Sequence, residues 1–344
     1  MFRTELLKKH LHILFISFCI STLGVKSQDI HFSEYNGSLL NLSPANTGFF
    51  DGDYRFNAIY RSQWSAVPVP YRTFSMAMDG RFKPKALHSD VIGAGILINS
   101  DKAGDAYYTQ TQIYLSGSYI HKVDVDSTLL IGAGIGLGIN NNNFNYNKMT
   151  FDNQFDGFAY NGALNTGEKF TSNATTFGDF NLGLSAQYTL NKVVVFNYAF
   201  GFNHIASPVI TYQGNPMSKL DNKRLNYLSA SFPINANWVS VNEIMFSHQG
   251  KYKEFVPGTN LKYIVDPLTN NTISAGLYLR AKDALIARLG YTYKLTTCGV
   301  SYDLNLSKFI PATNRRGGIE FFVTHIIRKN RPFVAKKRSC PVYM

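Results

Sequence analysis

Charge is scarce in this chain. Only 16% of its 344 residues are Asp, Glu, Lys or Arg, well below the quarter usual in soluble domains. With 45% hydrophobic residues beside it, that shortage excludes a disordered chain and a coiled coil. Tryptophan is rare as well, at 2 residues, although Phe and Tyr reach 26 and 21. Beyond the first 27 residues no stretch of 18 apolar residues occurs, which excludes a transmembrane helix in the exported part. His31, His88, His121, His204, His248 and His325 show no H-x-x-x-H or similar metal-ligand spacing. No Ser–His pair with an orienting polar group stands out either. The reading is therefore not an enzyme, with no cofactor and no metal. Acidic residues are missing altogether after Glu320.

The opening of the chain is an export signal. Arg3, Lys8 and Lys9 precede a short apolar run, Leu11–Val25, and Ser27 stands at the −1 position of a cleavage site before Gln28. The run is too short to cross about 30 Å of hydrocarbon comfortably. Cys19 follows Phe18 rather than a small residue, so a lipid-attachment site is not expected.

What the body has in abundance is alternation, the mark of half-buried strands. In 129–139 one face is Leu129, Ile131, Ala133, Ile135, Leu137 and Ile139, while Gly132, Gly134, Gly136 and Gly138 lie on the other. Segments 177–190 and 285–295 alternate in the same way. Such segments are longer than soluble strands of about 5–6 residues. They match tilted strands crossing a bilayer, which need about 9–11. The second face is small, polar or charged, so the apolar face points outward. The fold class predicted is all-β: an antiparallel transmembrane β-barrel of the outer-membrane type with about 14 strands. The segments are 53–62, 71–83, 90–99, 106–120, 127–139, 176–190, 193–203, 223–232, 236–247, 252–263, 271–280, 284–295, 297–305 and 317–328. Region 223–263 alternates weakly and is interrupted by Pro233 and Pro257.

The organisation that follows is a signal peptide, 1–27; an N-terminal periplasmic segment, 28–52; the barrel, 53–328; and a basic periplasmic tail, 329–344. An even strand count puts both termini in the periplasm of a Gram-negative cell, with the protein in the outer membrane. The long connections 140–175 and 204–222 then face outside, and turns such as Asn191-Lys192 face inward. Loop 140–175 is rich in Asn and aromatics, and reads either as a surface recognition loop or lumen plug, or as a solvated loop with its own small core.

The glycines of 132–138 fail the G-x-G-x-x-G spacing and precede no helix, so they read as a close-packed lumen face. The lumen face also carries both signs of charge: Arg55, Arg61, Asp79, Arg81, Asp179, Arg280, Arg288, Lys294, Asp303 and Glu320. Mixed signs favour a paired network filling the barrel over a charged solute pathway. Cys298 and Cys340 fall on one side of an oxidising compartment and are a candidate disulfide. Arg328, Lys329, Arg331, Lys336, Lys337 and Arg338 make the tail a candidate contact for an acidic periplasmic protein or anionic lipid headgroups. The formal net charge of +12 would suit nucleic acid, but the exported compartment argues against it.

Several short motifs occur in an ordered series. Leu42-Ser43-Pro44-Ala45-Asn46-Thr47-Gly48 is followed by Tyr60-Arg61-Ser62-Gln63-Trp64 and by Asp101-Lys102-Ala103-Gly104-Asp105. Ser301-Tyr302-Asp303-Leu304-Asn305 and Cys340-Pro341 come later. Together they resemble the PorP/SprF family of type IX secretion membrane proteins over essentially the whole exported chain. Ser43 stands where the family pattern has Asn, and Tyr343 where it has Phe.

The resemblance implies an outer-membrane barrel of the Bacteroidota type serving type IX secretion and, in some members, gliding motility. It implies as partners a secreted enzyme or cell-surface adhesin with a C-terminal sorting domain, and periplasmic ring and peptidoglycan-linked components. The outer loops would hold the secreted partner. Segment 28–50 and the basic tail would contact the periplasmic machinery. The alternative is an outer-membrane channel or transporter for small or apolar solutes, and the state of the lumen discriminates the two.

Overall fold

The computed structural model describes residues 29–63, 71–87, 90–104, 107–124, 128–168, 172–211, 218–307 and 310–329. Fourteen strands form a closed antiparallel barrel. They are β1 (Tyr54–Gln63), β2 (Tyr71–Phe82), β3 (Val91–Ala103), β4 (Tyr108–Lys122), β5 (Leu129–Asn143), β6 (Ala174–Leu190) and β7 (Val194–Asn203). The second half is β8 (Lys223–Pro233), β9 (Trp238–Gln249), β10 (Tyr252–Asp266), β11 (Asn271–Arg280), β12 (Ala284–Tyr293), β13 (Thr296–Asn305) and β14 (Arg316–Ile327). Each strand pairs with the next, and β14 closes on β1 with Ile327 opposite Tyr54. Closure leaves no unpaired edge, as a lipid environment demands. No helix among the described residues is long and apolar enough to cross a membrane.

Side-chain direction follows the alternation in the sequence. On β5, Ile131, Ile135, Leu137 and Ile139 are exposed on the outer surface, while Gly132, Gly134 and Gly136 face inward. Phe74, Met76 and Met78 of β2, and Phe321 and Val323 of β14, extend the same apolar belt. The core is therefore inside the barrel, and it is largely polar.

The structure departs from the sequence reading in three places. Asn140–Asn143, expected in a loop, continue β5: Asn140 and Asn142 are buried inward, and Asn141 Nδ2 donates to Thr176 Oγ1 at 2.7 Å. Asn has a low strand propensity, but pairing with 174–177 of β6 supplies the ladder. The three strands expected in region 223–263 do form despite its weak alternation: Pro233 ends β8, and Pro257 lies just before the ladder to β11 begins at Gly258. Lys294 is in an exposed turn, stacked over the Tyr293 ring, and not in the lumen.

The third departure is the largest. Residues 29–50, expected as a separate periplasmic segment, run inside the barrel as a strap. Asp29 lies among Gln112, His204, Lys223 and Gln249, at the end that carries the long connections. The strap then descends through turns at Tyr35–Gly37, Leu39–Leu42 and Pro44–Asn46 to Asp53 at the short-turn end. There Arg328 pairs with Asp51, and Lys329 N donates to Asp53. The first and last described residues thus sit at opposite ends of the barrel, where the even strand count had suggested one side for both termini. Strand parity fixes where the barrel begins, and the strap adds one more passage through it.

Candidate functional site

Three buried clusters hold the strap. The lower one is built from the P-A-N-T-G stretch. Ser43 Oγ accepts from Ala45 N and donates to the Phe200 carbonyl at 2.8 Å, so a Ser serves this turn without strain. Gly48 has φ +68, and its N–H donates to Asp79 Oδ2 at 2.7 Å. Arg55 grips the same carboxylate through Nε and Nη2, at 3.0 and 2.7 Å, and donates to the Asn46 carbonyl. A bidentate guanidinium–carboxylate pair is the strong form of this contact.

The glycine face of the wall is what lets the strap seat. A Cβ on Gly134 would lie 2.5 Å from Ala45 N, one on Gly93 2.3 Å from the Thr47 carbonyl oxygen, and one on Gly201 2.1 Å from the Leu42 carbonyl oxygen. The strap backbone therefore rests directly on the strand backbone, which only glycine permits. The close-packed lumen face expected from the sequence is a seat, and the strap is what packs there.

The upper cluster is ionic. Arg61 meets Asp303 at 3.3 Å and Glu320 at 3.2 Å, and donates to the His31 carbonyl at 2.8 Å. The Glu320 carboxylate accepts from the backbone N–H groups of Ser33 and Glu34, both at 2.8 Å. Arg280 joins through Asp303 at 3.0 Å and Glu254 at 2.9 Å. Arg288 pairs with Glu34 at 3.0 Å while lying over the Phe322 ring. Beside them Tyr35 packs edge-on against Tyr227 and Tyr278, whose hydroxyls both donate to Glu243. The mixed-sign lumen is a paired network, as expected, and the strap joins it through the Glu34 carboxylate and the N–H groups of Ser33 and Glu34.

A third group clamps the top of the strap. His204 donates from Nδ1 to Asp179 at 2.6 Å and meets Asp29 through Nε2 at 3.3 Å. Lys223 reaches the same Asp29 oxygen at 3.3 Å, and Tyr114 donates to Asp179 at 2.6 Å. Burial alone would push His204 down, but its bonds to Asp179 and Asp29 prevail and raise it to about 9. Burial would likewise raise Asp29, yet Lys223 and His204 hold it well below the usual carboxylate range. Both imidazole nitrogens face carboxylates, so this is a charged clamp and not a base awaiting a proton. A folded-state pKa raised from 6.5 to about 9 contributes stability that is complete below 6.5 and lost as pH rises through 9. The shift corresponds to roughly 3 kcal/mol. The stability gap between the native protein and His204→Gln should therefore be full at pH 6 and shrink markedly by pH 9.5. Urea titrations of the refolded barrel at both pH values measure it; a gap unchanged with pH would refute the clamp.

Above Asp29 and His31 a cavity of about 370 Å³ opens at the long-loop end, walled by Gln63, Asp101, Glu254 and Arg280. Below it, among the described residues, gaps beside the strap are of about 30 Å³. Among the described residues the strap packs against the barrel's inner face.

Of the motif positions, the structure brings Pro44, Ala45, Gly48, Arg61 and Asp303 into the strap clusters. Gln63 and Asp101 line the cavity above. Tyr60 and Tyr302 face outward, Lys102 lies over the Tyr107 ring, Gly104 is a turn residue with φ +68, and Asn305 Nδ2 donates to Thr313. Arg328 and Lys329 are engaged within the chain, with Asp51, Asp53 and Tyr54. Cys298 is exposed on the outer face near the short-turn end, opposite Tyr291 and Val323. Ser27, Gln28, Trp64, Asp105, Arg331, Lys336, Lys337, Arg338 and Cys340 lie outside the described residues. Sequence reasoning missed Asp29, Glu34, His204, Lys223 and Glu243. The signal available was Leu39, Leu40 and Leu42, too apolar for a solvated segment.

A closed fourteen-stranded barrel with an apolar belt is an outer-membrane β-barrel protein. One solved structure supports the fold. A deletion mutant of the monoaromatic hydrocarbon channel TodX superposes with TM-score 0.51 at 11% identity, over 86% of this chain and 94% of that one. The toluene transporter TodX of P. putida gives 0.48 at 13% identity, over 84% and 93%. A Pseudomonas aeruginosa FadL homologue gives 0.49 at 10%, over 82% and 91%. No curated protein matches the chain significantly. The family model of the type IX secretion system membrane protein PorP/SprF matches residues 24–324, and the chain belongs to that family.

Proposed function

We propose that this barrel is a plugged anchor in type IX secretion. It supports export or surface attachment of a protein carrying a C-terminal sorting domain. The observation that carries the reading is the strap packed inside the barrel, where buried ion pairs tie its Glu34 to Arg288 and its Asp29 to Lys223. The structural neighbours show the fold alone, so their hydrocarbon transport is not carried over. In this reading the long-loop end faces outside and offers the 144–173 and 204–222 connections to the exported partner. The short-turn end faces the periplasm, where the clamp of Arg328 and Lys329 on residues 51–54 sets where the basic tail departs. That tail, with a signal peptide cleaved after Ser27 and a Cys298–Cys340 bridge, completes the arrangement proposed for the periplasmic side.

The experiment is a clean deletion strain analysed for secreted and surface proteins. Loss of all type IX cargo would make the chain a core part of the machine. Loss of one large surface protein would make it that protein's dedicated partner. Unchanged export would overturn the proposal.

A further inference from the structure

The connection between β5 and β6 carries an aromatic tip for which the barrel itself has no use. Phe158 is 96% exposed, and Phe155 and Tyr160 are more than half exposed beside it. The tip is framed by its own hydrogen bonds. Asp156 Oδ1 accepts from Phe158 N and Ala159 N, both at 2.9 Å, and Asp156 N donates back to the Ala159 carbonyl at 3.1 Å. Residues 155 and 160 form a bridge. Beneath them the buried Gln154 accepts from Phe151 N at 3.1 Å, and its carbonyl accepts from Asn161 N at 2.7 Å. Such a frame removes in advance the ordering entropy that binding would otherwise oppose. Exposed rings on a preformed loop are the usual anchors of protein interfaces.

Two observations decide what the rings meet. The outward apolar series on β5 ends at Ile139; Asn141 and Asn143 follow, and the strand continues to Asn143. Four more residues at about 3.4 Å each raise the loop roughly 10 Å past the belt once tilt is allowed for, so the tip is no membrane anchor. Asp152, Asp156 and Glu168 are exposed on the same connection, against one exposed cation among its described residues, Lys148, and an anionic lipid-sugar surface would repel that net negative charge. We infer that Phe155, Phe158 and Tyr160 form a docking knuckle for an exported protein that presents an apolar socket with a basic rim. This deepens the proposed function and rests on its reading of the long-loop end as the outer one.

The test uses the full-length protein in its own cells. In the deletion strain, complementation with the native chain should restore the dependent surface protein. Complementation with Phe155→Ser/Phe158→Ser should leave it at least about tenfold lower, with the barrel present in the outer membrane and still folded by its heat-dependent gel shift. Asp152→Lys/Glu168→Lys should lower it as well, because the basic rim loses its partner. Full restoration by both double variants would overturn the knuckle and leave the anchor reading standing. A deletion strain with unchanged export would instead bring down the anchor reading, and the knuckle with it.

Discussion

Arg61→Ala should destabilise the folded barrel by about 3–5 kcal/mol, the range for removing one partner of a buried ion pair. Arg61 is 1% exposed and sits between Asp303 and Glu320, and Glu320 is fully buried. Asp303 keeps Arg280, at 3.0 Å, after the substitution. Glu320 keeps only the N–H groups of Ser33 and Glu34 as hydrogen-bond donors and loses its paired cation. The strap loses a second fixing point in the same step, because Arg61 also holds the His31 carbonyl. The effect should therefore be local as well as global: hydrogen exchange at Ser33 and Glu34 should accelerate before the barrel unfolds. Arg61→Met with Glu320→Leu removes both charges and should recover much of the loss, since no ion is then left buried alone. Urea unfolding of the refolded barrel in detergent gives the comparison. An Arg61→Ala midpoint matching the native one would mean that the network is ornamental.

The barrel was legible in the sequence because its physics is local. A strand facing lipid on one side and a polar interior on the other must alternate, and Ile131, Ile135 and Ile139 against Gly132 and Gly136 show both faces within one segment. Charge sign on the lumen was legible for the same reason. Arg55, Arg61, Asp79, Asp303 and Glu320 all lie on the inward parity, and all are buried. Asn140–Asn143 were misread because residue preference argued for a loop, whereas register with β6 decides the matter. The strap was hidden for a deeper reason. Its contacts join Ser33 to Asp303 and Ala45 to Gly134, far apart in the chain, and no local period announces such pairs. What the sequence did show was each half separately: an inward row of glycines with no stated occupant, and a Leu-rich stretch with no stated core.

Filling the strap's seat should open the barrel. In Gly134→Val the new Cβ falls 2.5 Å from Ala45 N and from the Pro44 carbonyl carbon. Both are backbone atoms, so neither can rotate away. The wall cannot retreat either, because Gly134 is paired on both sides, with Ser118 and with Gly183. The strap must lift. Planar bilayers should then show stepwise currents for Gly134→Val where the native protein shows few or none. A chain lacking residues 33–47 should conduct more steadily, since the emptied lumen is lined by Arg61, Asp79, Arg280, Asp303 and Glu320, which water will hydrate. The heat-dependent gel shift establishes that each variant is still a folded barrel. A folded but silent excision variant would mean that the wall side chains close the lumen by themselves, and the strap would lose its standing as the plug. Conduction would show that the barrel is wide enough to be a pore and is held shut by its own first residues. A protein that occupies its passage with its own chain has only its two ends left for partners, which is the geometry of an anchor between machinery on one side of the membrane and cargo on the other.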